Sequence, residues 1–203
     1  AAAAGPRAGA ARLQVAAAGA AEVAARFGID TGRPLLALAP GAEFGPAKCW
    51  PAASFAALSS RYLAPDWQVV LCGAQNDRAV CDQVVAGIRG DFSGACHNLA
   101  GRTTLDEVTD LLSLAHAVVS NDSGLMHIAA ALSRPVLALY GVTSPGFTPP
   151  LGERVAHISS AIDCAPCFQR QCPLGHHRCM QELTEAEVAT RLDALLAQGS
   201  TAA

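Results

Sequence analysis

A chain of 203 residues corresponds, at about 150 residues per domain, to one sizeable domain with little left over. Apolar residues make up 51% and charged residues 15%, so a buried core is available and whole-chain disorder is excluded. The 14 Lys and Arg against 17 Asp and Glu give a net charge of −3, which lacks the basic excess that neutralising a phosphate backbone demands and argues against a nucleic-acid partner. No apolar run reaches the length of a membrane span, and the Ala/Gly-rich start has no leucine-rich core behind basic residues. Neither a span nor a signal peptide is read there, and a soluble cytoplasmic protein is the expectation. The eight cysteines then read as reduced thiols rather than a secreted disulfide framework.

Residues 1–12 read as a flexible Ala/Gly/Pro lead and residues 13–198 as the folded domain. Leu13 to Phe27 has the spacing of one amphipathic helix, stopped by Gly28. Leu35 to Ala39, between two prolines, is a short buried strand, and a Gly/Pro loop leads to a helix from Pro51 to Tyr62. Trp67 to Gly73 gives a second strand, and Asp77 to Ile88 a helix with apolar residues at Val80, Val84 and Ile88. A brief extended piece, His97 to Arg102, precedes Thr104 and Glu107, whose spacing makes a capping box for a helix ending at Leu114. Ala115 to Asn121 is the next strand and Ser123 to Leu132 its helix. Arg134 to Val142 follows as a strand whose nearly continuous apolar run suits a sheet covered on both faces. Strand and helix alternate, so the expected fold is α/β, a Rossmann-like doubly wound parallel sheet. Periodicity stops at Thr143 to Pro150, where three prolines in eight residues exclude regular structure. A short strand near Arg154 to Ser159, a Cys-rich loop at 164–179 and a last helix at 184–196, opened by Thr184 and Glu187 as a second capping box, complete the domain, with a frayed tail from Gly199.

In open α/β sheets ligands bind beyond the carboxyl ends of the strands, so the loops there carry the chemistry. Pro40 to Pro51 (PGAEFGPAKCWP) has two glycines that let backbone approach a ligand, and Lys48 just ahead of a helix. The spacing matches neither a Walker loop nor the dinucleotide glycine pattern, which also argues against a nicotinamide dehydrogenase; an anion site and a structural turn both fit. In the loop Ser120 to His127, the residues Asn121, Asp122 and Ser123 are all N-cap types. Ser123 and Gly124 would offer backbone N–H groups to a phosphate at the positive end of the helix. Asp122 can equally be a plain cap, and His127 can face a ligand or pack on the sheet. Asp77 ends the loop after the second strand, where a carboxylate takes a ribose or caps the next helix.

Cys164, Cys167, Cys172 and Cys179 enclose His176 and His177. Four thiolates, or three with His176, would suit tetrahedral zinc or iron, but the second half lacks a C-x2-C pair, and reduced thiols packed in a loop are the alternative. Cys49, Cys72, Cys81 and Cys96 are scattered and read as buried bystanders. No GxSxG elbow is present, and no nucleophilic triad is assigned.

The loop from Pro40 to Pro51, VVLCGAQND (Val69 to Asp77), NLAG (Asn98 to Gly101), SNDSGLMHIAAAL (Ser120 to Leu132), RPVLALYG (Arg134 to Gly141) and CAPCFQRQCPLGHHRCM (Cys164 to Met180) occur in this order. Together they resemble the lipopolysaccharide heptosyltransferases of glycosyltransferase family 9, the heptosyltransferase II branch in particular, over residues 13–196. The resemblance implies a GT-B fold of two Rossmann-like domains, of which this chain is the C-terminal, donor-binding half. It implies inverting transfer of heptose from ADP-L-glycero-D-manno-heptose to the lipid A inner core, with no obligatory cofactor. It assigns Lys48 to the donor diphosphate, Asp77 to the ribose, Ser123 and Gly124 to the phosphates, Asp122 with nearby His127 to the heptose, and Thr103, Thr104 and Leu105 to the adenine side. The acceptor pocket and the acidic general base are expected in an N-terminal acceptor domain, so no catalytic residue is assigned here. The likeness leaves open whether the cysteine cluster holds a structural zinc or iron. Where the family usually has Arg after the loop lysine, this chain has Cys49, which removes a positive charge beside the phosphates. An inner-leaflet acceptor implies peripheral contact with the inner face of the inner membrane. A non-catalytic nucleotide-binding or metal-stabilised module derived from a transferase half is the competing expectation.

Overall fold

The computed structural model describes residues 11–64, 66–92 and 94–200. Most of the expected lead, residues 1–10, and the last part of the expected tail, residues 201–203, lie outside the described residues. Six strands form one all-parallel sheet: β1 (Leu35–Ala39), β2 (Gln68–Leu71), β3 (Cys96–Asn98), β4 (Ala117–Asn121), β5 (Val136–Tyr140) and β6 (Val155–Ser159). Their spatial order is β3-β2-β1-β4-β5-β6, the doubly wound order whose direction reverses between β1 and β4. The helices are α1 (Ala17–Phe27), α2 (Ala52–Leu63), α3 (Arg78–Gly87), α4 (Leu105–Leu114), α5 (Gly124–Ala131), α6 (Arg178–Gln181) and α7 (Glu185–Ser200).

Successive strand residues point to opposite faces, so an unbroken apolar run is divided between two cores. Leu36, Leu38, Val69, Leu71, Val119 and Leu137 join Phe55, Leu58, Val84, Val188 and Leu192 on the side of α2, α3 and α7. Leu35, Ala37, Val70, Val118, Val136 and Ala138 join Val23, Leu111, Leu112, Met126 and Ala129 on the side of α1, α4 and α5. Every residue of β1, β2, β4 and β5 is buried.

Local signals act as their chemistry dictates. Gly28 ends α1 at φ 68°, and the N–H groups of Gly28 and Ile29 both return to the Ala24 carbonyl, the left-handed stop that glycine tolerates best. Thr104 Oγ1 accepts from the Glu107 N–H while the Glu107 carboxylate accepts from the Thr104 N–H, closing the capping box. Some boundaries differ from the sequence expectation. The first helix starts at Ala17, not Leu13, because the Leu13 N–H donates to the Ala131 carbonyl at 2.8 Å and ties the entering chain to the end of α5. Pro51 precedes α2 in an extended conformation instead of opening it. The extended piece expected from His97 begins one residue earlier, as β3, where Cys96 pairs with Val69. The last helix continues past Leu196 to Ser200.

Trp50 fastens the loop after β1 into the core. Its ring is fully buried edge-on to Phe55 at 4.8 Å, its indole N–H donates to the Leu183 carbonyl at 2.7 Å, and its backbone N–H donates to Asn121 Oδ1 at 3.1 Å. Trp50→Ala empties that space and leaves the Leu183 carbonyl unpaired. A loss of about 3–5 kcal/mol is expected, read as a lower urea midpoint at unchanged m value.

Candidate functional site

At the edge where the sheet reverses, the loops leaving β1 and β4 diverge, and a cavity of about 540 Å³ opens between them. Its walls come from the loop after β1 (Gly41 to Phe44, and Lys48), the loop after β2 (Gly73, Ala74 and Asp77), the entry to α4 (Thr103, Thr104 and Leu105) and the entry to α5 (Asp122 to Leu125, His127 and Ile128). Lys48, Asp77, Thr103, Thr104, Leu105, Asp122, Ser123, Gly124 and His127 are thus brought to one cavity, while Cys49 and the Cys-rich loop stand outside its lining.

Lys48 ends a short 3-10 turn, Pro46–Lys48. Its ammonium lies 2.6 Å from Asp122 Oδ2 and 3.3 Å from the Asp122 carbonyl, with the two side chains only 13% and 5% exposed. A buried carboxylate needs its acceptor sites filled. Thr143 Oγ1 donates to the same oxygen at 2.7 Å, and Thr148 Oγ1 donates to Oδ1 at 3.1 Å. The Tyr140 hydroxyl donates to the Thr148 carbonyl at 2.7 Å and holds that loop in place; burial above all, then the charge of Asp122, raises the phenol's pKa and keeps it a neutral donor. The sequence pattern marks Thr143 and Thr148 as loop residues and nothing more, so their part at Asp122 is legible only in three dimensions. Above the ion pair, the Lys48 ammonium faces the Phe44 ring at 4.9 Å.

Asp122 is therefore not the helix cap. Ser123 holds the N-cap position of α5 and makes no side-chain hydrogen bond into the first turn. No side chain caps that turn, and its residues Ser123, Gly124 and Leu125 line the cavity at the positive end of the helix. Asn121, buried behind them, pins both ends of the loop after β1, donating from Nδ2 to the Pro40 carbonyl at 2.7 Å and accepting from Trp50.

Asp77 closes the 3-10 turn Gln75–Asp77, and its Oδ2 accepts from the Ala74 N–H at 2.8 Å, so it caps its own turn while lining the cavity. A Cβ on Gly41 would overlap the Asp77 carboxylate, and one on Gly73 would lie 2.7 Å from Asp77 Cβ; the absence of side chains at both glycines makes the room. Thr104 is committed to its capping box, whereas Leu105 and His127 are exposed at the rim. His127 does not pack on the sheet. Cys72 lies buried in the cavity wall, its thiol pushed up to about 12 by burial. Cys49 is half-buried, and burial together with the charge of nearby Asp77 raises its pKa, so a neutral thiol stands there.

Of the Cys-rich loop, Cys164, Cys167 and Cys172 are half-buried free thiols and Cys179 a buried one. Backbone N–H groups of His177, Leu174, His176 and Gly175 point at the Cys172 sulfur and lower its pKa. Burial, then the proximity of Cys167, Cys164 and Cys172, raises that of Cys179. The four thiols share a neighbourhood, but among the described residues no group of three or more His, Cys, Asp or Glu is arranged to hold a metal ion. His176, the alternative ligand, accepts the Arg178 N–H at Nδ1 over 3.1 Å.

A doubly wound sheet with a cavity at its switch point, walled by an oriented lysine and a helix N-terminus, defines a Rossmann-like domain. The sequence profile of glycosyltransferase family 9 (heptosyltransferase) matches residues 6–178, and the chain belongs to that family. It is 39% identical over 173 residues to lipopolysaccharide heptosyltransferase 2 of Escherichia coli, covering 85% of this chain and 50% of that protein. It is 40% identical over 168 residues to lipooligosaccharide heptosyltransferase 2 of Haemophilus influenzae, covering 82% and 48%. The solved structure of E. coli ADP-heptose LPS heptosyltransferase II superposes with a TM-score of 0.83 at 38% identity, over 93% of this chain and 54% of that one. The chain spans about half the length of these curated relatives. Among the described residues no helix is long and apolar enough to cross a membrane.

Removing Asp122 would strand a buried ammonium. Asp122→Ala is expected to cost about 3–5 kcal/mol in urea denaturation, and adding Lys48→Met should recover most of that loss. A double variant no more stable than the single one would show that the ion pair is not what keeps Lys48 buried.

Proposed function

We propose that residues 13–198 are the C-terminal, donor-binding half of a GT-B heptosyltransferase, and that the cavity holds the ADP-heptose donor. The observation that carries this reading is the convergence, in a family 9 chain, of Lys48, Asp77, Asp122 and the α5 N-terminus on one cavity at the sheet's switch point. In this reading the Lys48 ammonium and the first-turn N–H groups of α5, at Ser123 and Gly124, meet the diphosphate. Both stabilise the negative charge that builds on ADP as the bond to the heptose anomeric carbon breaks. Asp77, already turned into the cavity, accepts from the ribose hydroxyls, and Thr103, Thr104 and Leu105 wall the adenine side. His127 stands at the rim beside Asp122, on the sugar side.

The Asp122 carboxylate already accepts from Lys48, Thr143 and Thr148. Its contact with the heptose would use the acceptor capacity that remains, and its first task is to aim the lysine. The acceptor, the lipid A inner core, and the acidic base that removes its hydroxyl proton belong in this reading to an N-terminal acceptor domain, and no residue of this chain takes the base's role. Such an acceptor places the reaction at the inner face of the inner membrane. Transfer with inversion follows from attack on the face of the anomeric carbon opposite the departing diphosphate. None of these steps draws on a cofactor.

Calorimetric titration of ADP and ADP-heptose into the chain tests the reading. Lys48→Ala is expected to weaken ADP by about 1.5–3 kcal/mol, roughly ten- to a hundredfold, through loss of a charge-assisted contact; unchanged affinity would overturn the assignment. Addition of the N-terminal half of a relative is expected to restore heptose transfer to a core acceptor. Donor binding without any transfer in that mixture would instead identify a module that binds and does not turn over.

A further inference from the structure

The Cys-rich loop has no part in the reading above, yet it is built onto the rim of the donor cavity at one residue, Arg170. The Arg170 carbonyl accepts the Ala47 N–H at 3.3 Å, and its guanidinium donates to the Glu43 carbonyl at 3.4 Å. The same guanidinium lies over the Phe44 ring, 5.6 Å from its centre, and the Lys48 ammonium lies over that ring at 4.9 Å. Between these contacts sits Gly45 at φ 148°, where a Cβ would come within 2.5 Å of the Arg170 carbonyl oxygen. The two loops therefore meet backbone to backbone, and no side chain fits between them. Glu43, Phe44 and Lys48 line the cavity, while Arg170 does not.

We propose that Arg170 is a positioning residue of the donor site: it braces Phe44 and the 43–48 loop from outside, so that Lys48 presents its ammonium to the donor diphosphate. This rests on reading the cavity as a nucleoside-diphosphate site. Lys48 is the one Lys or Arg among the described residues that line the cavity, so its placement decides how much charge-assisted bonding the diphosphate receives. Its loop carries two glycines, Gly41 and Gly45, and a glycine-bearing segment loses much conformational freedom when it is ordered. A cation held on the Phe44 face, the guanidinium's hydrogen bond to the Glu43 carbonyl and the main-chain bond from Ala47 to Arg170 order that segment before the ligand arrives, which raises affinity without adding a contact to the ligand. Arg170 is itself exposed, so its removal bears on the loop and not on the core.

The test titrates ADP calorimetrically into the parent chain and into Arg170→Ala, Arg170→Lys, Lys48→Ala and Lys48→Ala/Arg170→Ala, with Leu174→Ala as a variant of the same loop that makes none of these contacts. Arg170→Ala is expected to weaken ADP about fivefold at unchanged melting temperature, and Leu174→Ala to bind as the parent does. Arg170→Lys restores part of the loss, since an ammonium keeps the charge on the ring but not the planar stack. In the Lys48→Ala background the Arg170 change is expected to add nothing, because the two act as one unit. Amide resonances of Gly45 and Ala47 should shift in Arg170→Ala while those of the sheet stay in place, which reads the brace without any ligand. Parent-like affinity in Arg170→Ala, a full fivefold loss retained in the Lys48→Ala background, or unmoved Gly45 and Ala47 resonances would each overturn the proposal. If Lys48→Ala weakens ADP and Arg170→Ala does not, only the brace falls; if the parent chain binds no ADP, the nucleotide reading falls and takes the brace with it.

Discussion

The carboxyl edge of this sheet depends on one largely buried ion pair. Lys48 and Asp122 are 74 residues apart in the chain and 2.6 Å apart in space. An ammonium drawn out of water needs a partner, so the loop after β1 folds inward only where β4 delivers a carboxylate. Parallel pairing of β1 with β4 does so, setting Ala39 beside Ser120 two residues ahead of Asp122. Thr143 and Thr148 complete the carboxylate's shell and draw in the loop after β5. Three loops from neighbouring strands share a single anion, and the cavity gains walls of definite shape.

The same pair sets what the cavity could offer the diphosphate proposed for it. Asp122 balances the charge of Lys48, and the whole chain carries −3, so a strong positive potential is not what the site offers. It offers donors in fixed positions: an ammonium held by two hydrogen bonds to Asp122 and the uncapped first turn of α5. Fixed donors cost little reorganisation when charge develops on a leaving diphosphate. In the proposed reading the domain must bind a nucleotide sugar and then stabilise the nucleotide as it departs, and fixed donors would serve both demands. The thiol at Cys49, kept neutral by burial and by the charge of Asp77, adds no second cation beside Lys48.

Around the pair, the loop after β1 is fastened from three directions. Asn121 holds its two ends, Trp50 anchors it to the Leu183 carbonyl in the core, and Arg170 reaches it from the Cys-rich loop. The Cys-rich loop is fixed in turn by main-chain contacts, with the Phe168 N–H donating to the Val142 carbonyl at 2.7 Å. The Cys-rich loop and the loop after β1 are thus coupled through one stretch of backbone.

Much of the scaffold is legible along the chain. The apolar runs of β1 and β5, the left-handed stop at Gly28 and the Thr104/Glu107 capping box act over two to four residues, and such periods and caps require no knowledge of distant partners. A parallel sheet sends every strand's carboxyl end to one edge, so the loops at Lys48, Asp77 and Ser123 could be placed together before any coordinates were known. The identity of their partners was a different matter. That Leu13 bonds to Ala131 and shortens α1, that Asp122 serves Lys48 instead of capping a helix, that two threonines of a Pro-rich loop complete it, and that Arg170 reaches Glu43 all join residues from 21 to 127 positions apart. At those separations a free lysine, threonine or arginine matches many acceptors equally well. The choice among them was made by burial, which penalises every unpaired charge and polar group, and burial exists only once the sheet has closed.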